Sequence, residues 1–168
     1  MDDYAVRPAT LADEAAVSAL LQASYPILMS AAYDELVLGP ALELMTKANP
    51  ALLASDTFYV AESIDGVIVG CGGWTREPPP GDHTVGPNLG HIRHFATHPE
   101  WTKRGVGRAI YDVCEADARS AGIDSFECNS ALNAEGFYAA VGFDSVRRLD
   151  VALGPDVVFP GVLMHRQI

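Results

Sequence analysis

The chain has 168 residues, of which 49% are hydrophobic and 20% charged, which is typical of one globular domain and excludes an intrinsically disordered chain. Its 11 basic and 22 acidic residues give a formal net charge of −11, the opposite sign to that of proteins that bind nucleic acids or anionic membranes. No apolar run approaches the roughly eighteen residues that a membrane-spanning helix needs.

The first half of the chain is predicted to form a strand, two helices and a β-hairpin. These elements lie, in order, at residues 4–8, 10–25, 32–47, 57–63 and 67–75. Thr10 and Asp13 have the spacing of a capping box at the start of the first helix, and Pro26 is expected to end or kink that helix. Asp65 and Gly66 are typical of the turn that joins two hairpin strands.

The second half is predicted to alternate strands and helices before a closing pair of strands. These elements lie at residues 91–97, 105–121, 125–128, 134–141, 143–153 and 157–167. The loop at residues 77–90 is long enough to be functional, although plain surface variation explains it equally well. Strands and helices alternate along the chain, and hairpins occur at both ends. This order predicts one α/β (α+β) domain over residues 1–168, with a mixed sheet of about seven strands flanked by about four helices.

The cysteines and the first three residues indicate the cellular compartment. Cys71, Cys114 and Cys128 are odd in number and widely spaced, which favours reduced thiols in a cytoplasmic protein over disulfides or a zinc site. The acidic residues 1–3 lack the basic start of a signal peptide. We therefore expect a cytoplasmic protein.

A basic, glycine-bearing turn joins the strand at residues 91–97 to the helix at 105–121. Lys103, Arg104 and Arg108 lie within six positions in a chain whose net charge is −11. Gly105 and Gly107 leave the backbone open at a helix start, where N–H groups lack helical partners and the helix dipole adds positive charge. These features are typical of a pyrophosphate-binding turn.

Two common nucleotide motifs do not fit this turn. A Walker A loop requires GxxxxGK[ST], which the segment lacks. A dinucleotide fingerprint requires a third glycine where Ile110 stands.

The segment Thr102-Lys-Arg-Gly-Val-Gly107 resembles the acyl-CoA-binding motif of the GNAT superfamily of N-acetyltransferases, Arg/Gln-x-x-Gly-x-Gly/Ala between a strand and a helix. Thr102 stands where that pattern has Arg or Gln, which weakens one contact of a site that binds mainly through backbone amides. A second segment, residues 132–143, is similar to the family's Asn…Phe-Tyr-x-x-x-Gly-Phe block. The resemblance covers essentially the whole chain and implies a GNAT-like fold in which strands 4 and 5 splay apart.

The resemblance also implies acetyl-CoA as cosubstrate, with no metal ion. The implied CoA-binding residues are Phe95, Ala96, Thr97, Thr102, Lys103, Arg104, Gly105, Val106, Gly107, Arg108, Asn133, Phe137 and Tyr138. The backbone N–H of Phe95 is expected to stabilise the oxyanion, and Tyr138 to protonate the departing thiolate as general acid. Asn133 has a second interpretation as a helix cap, and Phe137 has one as a core residue.

The residue that deprotonates the amine is not selected by any pattern. His91, His94, Glu62 and Glu77 are candidates near the expected site, and His94 is taken as the base. A metal site formed by His91, His94 and His98 is not expected, because alternation along a strand would place the first two on opposite faces.

The implied function is transfer of an acetyl group from acetyl-CoA to a primary amine by direct attack in a ternary complex. The acceptor is a small-molecule or peptide amine. Residues 1–92 hold three basic and 12 acidic residues, a charge of −9 that either favours cationic amines or serves solubility alone. The alternative function is a non-catalytic acyl-CoA-binding or sensing module. A homodimer is a further option, with residues 157–167 as the pairing edge.

Overall fold

The computed structural model describes residues 3–81 and 83–168, and these residues form seven strands in one sheet and five α-helices. In chain order the elements are β1 (Tyr4–Pro8), α1 (Glu14–Leu28), α2 (Glu35–Met45), α3 (Pro50–Leu53), β2 (Phe58–Ser63), β3 (Ile68–Thr75), β4 (Leu89–Thr97), α4 (Val106–Ser120), β5 (Ser125–Ala131), α5 (Glu135–Ala140), β6 (Asp144–Gly154) and β7 (Val157–Gln167). None of the helices in these described ranges is both long and apolar enough to cross a membrane.

The sheet has the strand order β1-β2-β3-β4-β5-β7-β6, and the described neighbours are antiparallel except for the parallel pair β4–β5. The predicted mixed sheet of seven strands is therefore confirmed. Helices α1, α2 and α3 bury their apolar residues against one face, and α4 and α5 pack on the other. The fifth helix, beyond the four expected, is the single turn α3.

Strands β4 and β5 separate soon after they meet, as the resemblance implied. Their pairing covers only Leu89 to His91 on β4. Beyond that point β4 continues along β3 to Thr97, while β5 follows β7 to Ala131. The two strands thus open a gap between their carboxyl ends.

A bulge in β4 accompanies this separation. The register between β3 and β4 shifts between Cys71 and Gly73, and His94 has a φ of 56°. Ile92 and Phe95 pack in the same cluster although they lie three positions apart. Regular alternation does not hold through this stretch, so it gives no ground for separating His91 from His94.

Of the two outcomes expected at Pro26, an end or a kink, the end is not observed, because α1 continues to Leu28. The carbonyl that Pro26 deprives of a partner belongs to Gln22, an exposed residue that water can reach. The pairing edge expected at residues 157–167 was wrong. Strand β7 is not an edge, because the β6–β7 hairpin folds back so that β7 lies between β5 and β6. The edges of the sheet are β1 and β6.

Candidate active site

The turn between β4 and α4 exposes backbone N–H groups. Lys103 has a φ of 60° and Gly105 a φ of 81°, so the chain reverses through left-handed backbone just before α4 begins. The N–H of Ala109 donates to the carbonyl of Gly105 (2.9 Å). The N–H groups at positions 106 to 108 precede it and have no helical acceptor, so they are available to an anion.

Close packing of the first turn of α4 requires two glycines. A Cβ on Gly107 would lie 3.0 Å from the Phe137 ring, and a Cβ on Gly70 would lie 2.5 Å from Cγ1 of Val106. These contacts hold the start of α4 against β3 on one side and α5 on the other. The helix N-terminus is thereby fixed beside the gap in the sheet.

The basic side chains of the turn lie at its exposed rim. The Arg104 guanidinium stacks 3.9 Å above the Trp101 ring and pairs with Asp3 at 3.1 Å. Arg108 pairs with Asp112 at 3.2 Å along α4. Because all of these charges are exposed to solvent, they attract an anion over a distance rather than enclose it.

The backbone of β4 faces the gap at Phe95 and Thr97. The N–H of His98 donates to Val69 of β3 (2.9 Å), so the neighbouring Thr97 directs its backbone groups away from β3, and Phe95 lies in the bulge, outside the β3–β4 pairing. The hydroxyl of Tyr25 donates to the Phe95 carbonyl (3.0 Å), and the hydroxyl of Ser24 donates to the Thr97 carbonyl (2.7 Å). These two neighbours on α1 thus occupy the carbonyls of this segment of β4.

Tyr138 lies on α5 and reaches the bulge of β4. Its ring centroid is 6.2 Å from that of Phe95 and 5.1 Å from that of Phe137. Its hydroxyl lies near the Cys128 thiol, and burial raises the pKa of the phenol well above its usual value. The hydroxyl is therefore protonated at neutral pH and can act as a proton donor.

Other predicted site residues fall around this centre. Ala96 pairs with Cys71 of β3, Thr102 donates its hydroxyl to the Pro99 carbonyl (3.0 Å), and Phe137 is half-buried among aromatic rings. Asn133 is exposed and is not the helix cap that one interpretation expected, because the N-cap position of α5 is occupied by Ala134.

The candidate bases lie in different surroundings. Nε2 of His94 lies 3.1 Å from the Met45 carbonyl; since a carbonyl only accepts, this nitrogen carries the hydrogen and only Nδ1 can take up a proton. Burial also lowers the pKa of His94. Glu62 is paired with Arg7 at 2.6 Å on β2, two strands from β4. Glu77 is exposed in the loop before β4, and His91 is buried at the start of the gap.

The three cysteines lie in the interior of the fold as free thiols. Cys71, Cys114 and Cys128 are buried free thiols, and burial raises the pKa of Cys71 and of Cys128 to about 12. In the part of the chain that the structure describes, no group of three or more His, Cys, Asp or Glu residues is placed to hold a metal ion.

Sequence reasoning missed the hydroxyls of Ser24 and Tyr25 and the contact between Cys128 and Tyr138. Ser24 and Tyr25 sit within a helix whose apolar periodicity explains their burial, so no sequence signal distinguishes them. Only the way that α1 crosses β4 gives them carbonyl partners.

The geometry defines a class of site: a helix N-terminus for an anion, continuous with a gap that offers backbone donors to an extended ligand. The sequence matches the model of the acetyltransferase (GNAT) family over residues 17–143. The chain belongs to this family. No curated protein matches the sequence.

Solved structures share the fold. A GCN5-related N-acetyltransferase from Rhodopseudomonas palustris is similar at 24% identity and a TM-score of 0.80, over 100% of this chain and 98% of the other. The PaiA N-acetyltransferase of Thermoplasma acidophilum, in complex with coenzyme A, is similar at 16% identity and a TM-score of 0.72, over 100% of both chains. The ribosomal-protein-S18-alanine N-acetyltransferase of Escherichia coli is similar at 13% identity and a TM-score of 0.64, over 98% of this chain and 94% of the other.

Proposed function

We propose that this protein transfers the acetyl group of acetyl-CoA to a primary amine by direct attack in a ternary complex. The observation that carries the proposal is the continuity of three features: the open N-terminus of α4, the gap between β4 and β5, and the buried hydroxyl of Tyr138. The diphosphate of CoA would bind the amides of the turn at residues 102–108. Its pantetheine arm would then follow the edge of β4 toward α5. The buried free thiols are compatible with a reducing, cytoplasmic setting.

Each chemical task has a residue in this arrangement. The N–H of Phe95 would donate to the thioester oxygen as it becomes an oxyanion, an interaction worth about 3 kcal/mol in comparable sites. Tyr138 would give its hydroxyl proton to the departing thiolate. The T-shaped contact between the Phe95 and Tyr138 rings supports placing both tasks at one centre. His94 remains a proposal for the base, limited to Nδ1 by its bond to Met45.

Ligand binding separates this proposal from unrelated functions. Acetyl-CoA and CoA at about 100 times their Kd should raise the Tm of the wild type by about 5 °C or more, while NAD should not. Gly107→Val should abolish the shift, because its side chain would enter the Phe137 ring. Gly136→Ala, in open space on α5, is the matched control and should retain it. A wild type that CoA does not stabilise would overturn the proposal.

Turnover separates an enzyme from a sensing module. Thiol release from acetyl-CoA is measured with spermidine, tyramine, L-lysine and an alanine-terminated peptide as acceptors. Tyr138→Phe should retain the thermal shift and lose about 100-fold or more in kcat on the best of these amines. If CoA binds and the wild type acetylates none of them, the non-catalytic module is the correct function. Unchanged kcat in Tyr138→Phe would remove this residue as general acid.

A further inference from the structure

Arg93 on β4 is a partly buried arginine without a carboxylate partner. The two other partly buried arginines each bind an acid, Arg7 at 2.6 Å and 2.9 Å and Arg166 at 2.7 Å. In the part of the chain that the structure describes, the guanidinium of Arg93 has one hydrogen bond, from Nη1 to the Thr75 hydroxyl (3.1 Å). Its Nε and Nη2 have no partner there and are not sealed from solvent, so they are open to a ligand.

The surroundings of Arg93 leave its charge unbalanced. Burial lowers the pKa of its guanidinium, and no carboxylate acts in the opposite direction. For Arg7, by contrast, Asp13 and Glu62 raise the pKa. Because a partly buried charge is costly unless it is paired, the missing counter-ion at Arg93 points to an anionic group on a ligand.

Arg93 lies beside the gap, close to the proposed reaction centre. Ile92 packs in the cluster of α4, and β4 pairs regularly with β3 up to Arg93, so the Arg93 side chain points to the opposite face, the side of α1, α2 and α3. The pairing of β4 with β5 ends at His91, two residues earlier. Phe95, with the proposed oxyanion donor, follows two residues later. The guanidinium thus lies on the acceptor side of the gap and away from the turn proposed for the diphosphate.

Asn129 on β5 provides a second donor across the gap. The register between β4 and β5, continued by two residues, sets Asn129 opposite Arg93. Its neighbour Cys128 is buried in the cluster of α4, so alternation turns Asn129 to the same face as Arg93. Nδ2 of Asn129 lies 3.5 Å from Nε2 of His83, which is long for a hydrogen bond. A carboxylate can accept from the guanidinium and from this amide together.

The position of the guanidinium sets the length of the ligand. Arg93 and Phe95 are two residues apart, roughly 6 Å along a strand. The bond to Thr75 directs the guanidinium further from Phe95, because Thr75 lies opposite His91. A carboxylate bound there is therefore several bonds away from an amine at the thioester. In an α-amino acid the two groups share one carbon, which is too short.

We propose that the acceptor is an ω-amino carboxylate, whose carboxylate binds Arg93 and Asn129 while its primary amine reaches the thioester beside Phe95. This inference rests on the proposed function and leaves the chemistry of the transfer unchanged. The ammonium end of such a molecule suits the acidic first part of the chain, and the carboxylate end supplies the counter-ion that Arg93 lacks.

Side-chain NMR tests the binding site without turnover. ¹H–¹⁵N spectra of the arginine Nε–H groups are recorded on the wild-type protein, with and without saturating CoA, and the Arg93 signal is assigned with Arg93→Lys. 6-Aminohexanoate should shift this signal. Hexylamine, which has the same amine and chain length without the carboxylate, should not. A signal that 6-aminohexanoate leaves unchanged, or that both compounds shift equally, would overturn the inference.

Kinetics with the same two amines provide the second measurement. The wild type should prefer 6-aminohexanoate to hexylamine by about 10-fold or more in kcat/KM, mainly through KM. Arg93→Gln should remove this preference and keep the hexylamine rate and the thermal shift with CoA, and Arg93→Lys should restore part of it. Arg119→Gln, an exposed residue on α4, is the control and should behave as wild type.

The possible failures are distinguishable. Equal use of the two amines by the wild type, or a preference that survives Arg93→Gln, would refute the role of Arg93. A merely structural role of Arg93 would lower the rates with both amines alike. A wild type that CoA does not stabilise, or that acetylates no amine, would instead refute the proposed function, and the NMR titration would still decide whether Arg93 binds a carboxylate.

Discussion

At the scale of single residues, two histidines on β4, His91 buried and His94 half-buried, link the site to the stability of the fold. Burial lowers the pKa of both His91 and His94, so both are neutral in the folded protein at pH values where they are charged in the unfolded chain. Between the folded and unfolded pKa values the unfolded state binds more protons. Stability must therefore rise with pH in that window and fall as the pH decreases toward 4.

We expect the free energy of unfolding to fall by about 2 kcal/mol from pH 8 to pH 5 because of His91 alone. Its folded pKa is about 4, against an ordinary value of 6.5, and His94 adds to the loss in the same direction. Urea unfolding at half-unit pH steps measures the slope. His91→Gln should flatten it, and His165→Gln serves as control. Wild-type stability that stays level from pH 8 to pH 5 would contradict the burial of neutral histidines.

At the scale of elements, α1 controls the exposed edge of β4. Ser24 and Tyr25, one after the other on α1, donate to the Thr97 and Phe95 carbonyls across the gap. Without these hydroxyls, the Phe95 and Thr97 carbonyls, which lie beyond the pairing of β4 with β5, would lose their donors. The helix thus substitutes for the missing neighbour strand and fixes the direction of the N–H groups beside it.

Tyr25→Phe should therefore destabilise the protein by about 1–3 kcal/mol and also reduce the thermal shift that CoA produces. Tyr33→Phe is the comparison variant, because the Tyr33 hydroxyl also donates to a backbone carbonyl, that of Pro160 (2.6 Å), and in addition accepts from the N–H of Leu132 (2.8 Å). It should lose at least as much stability in urea unfolding and keep its full CoA shift. Equal CoA shifts in the two variants would show that α1 does not orient the edge of β4.

Sequence patterns predicted the elements better than their contacts. Hydrophobic periodicity located α4 at 105–121 against an observed Val106–Ser120, and the Gly-rich basic turn was placed correctly before it. Neither Gly nor Pro marks the bulge at His94 within β4 itself; the glycines that accompany it lie on the paired strand β3, where the register shifts between Cys71 and Gly73. The insertion of β7 between β5 and β6 depends on pairing between segments distant in sequence, which local patterns do not record. The hydrogen bonds from Ser24 and Tyr25 to β4 likewise depend on where α1 packs against the sheet, which local patterns do not record.

At the scale of the whole molecule, the excess negative charge of the first part of the chain lies on one side of the sheet. Residues 1–92 carry a charge of −9, and they supply α1, α2 and α3, the helical layer on one face of the sheet. Exposed acids on that layer are Glu14, Asp34, Glu35 and Glu43. The same layer contacts the gap through Tyr25 and through the Met45 carbonyl, so its negative field extends to the proposed acceptor side.

This field should select for cationic acceptors at low ionic strength. Raising NaCl from about 20 mM to about 300 mM shortens the Debye length from roughly 20 Å to under 10 Å, so the KM for spermidine should rise several-fold. The KM for aniline, which is neutral at pH 7.5, should stay unchanged. Glu35→Gln should weaken the salt dependence, whereas Asp124→Asn, an equal charge change on an exposed residue next to α4, should not. If spermidine and aniline respond alike to salt, the acidity serves solubility and has no part in choosing the amine.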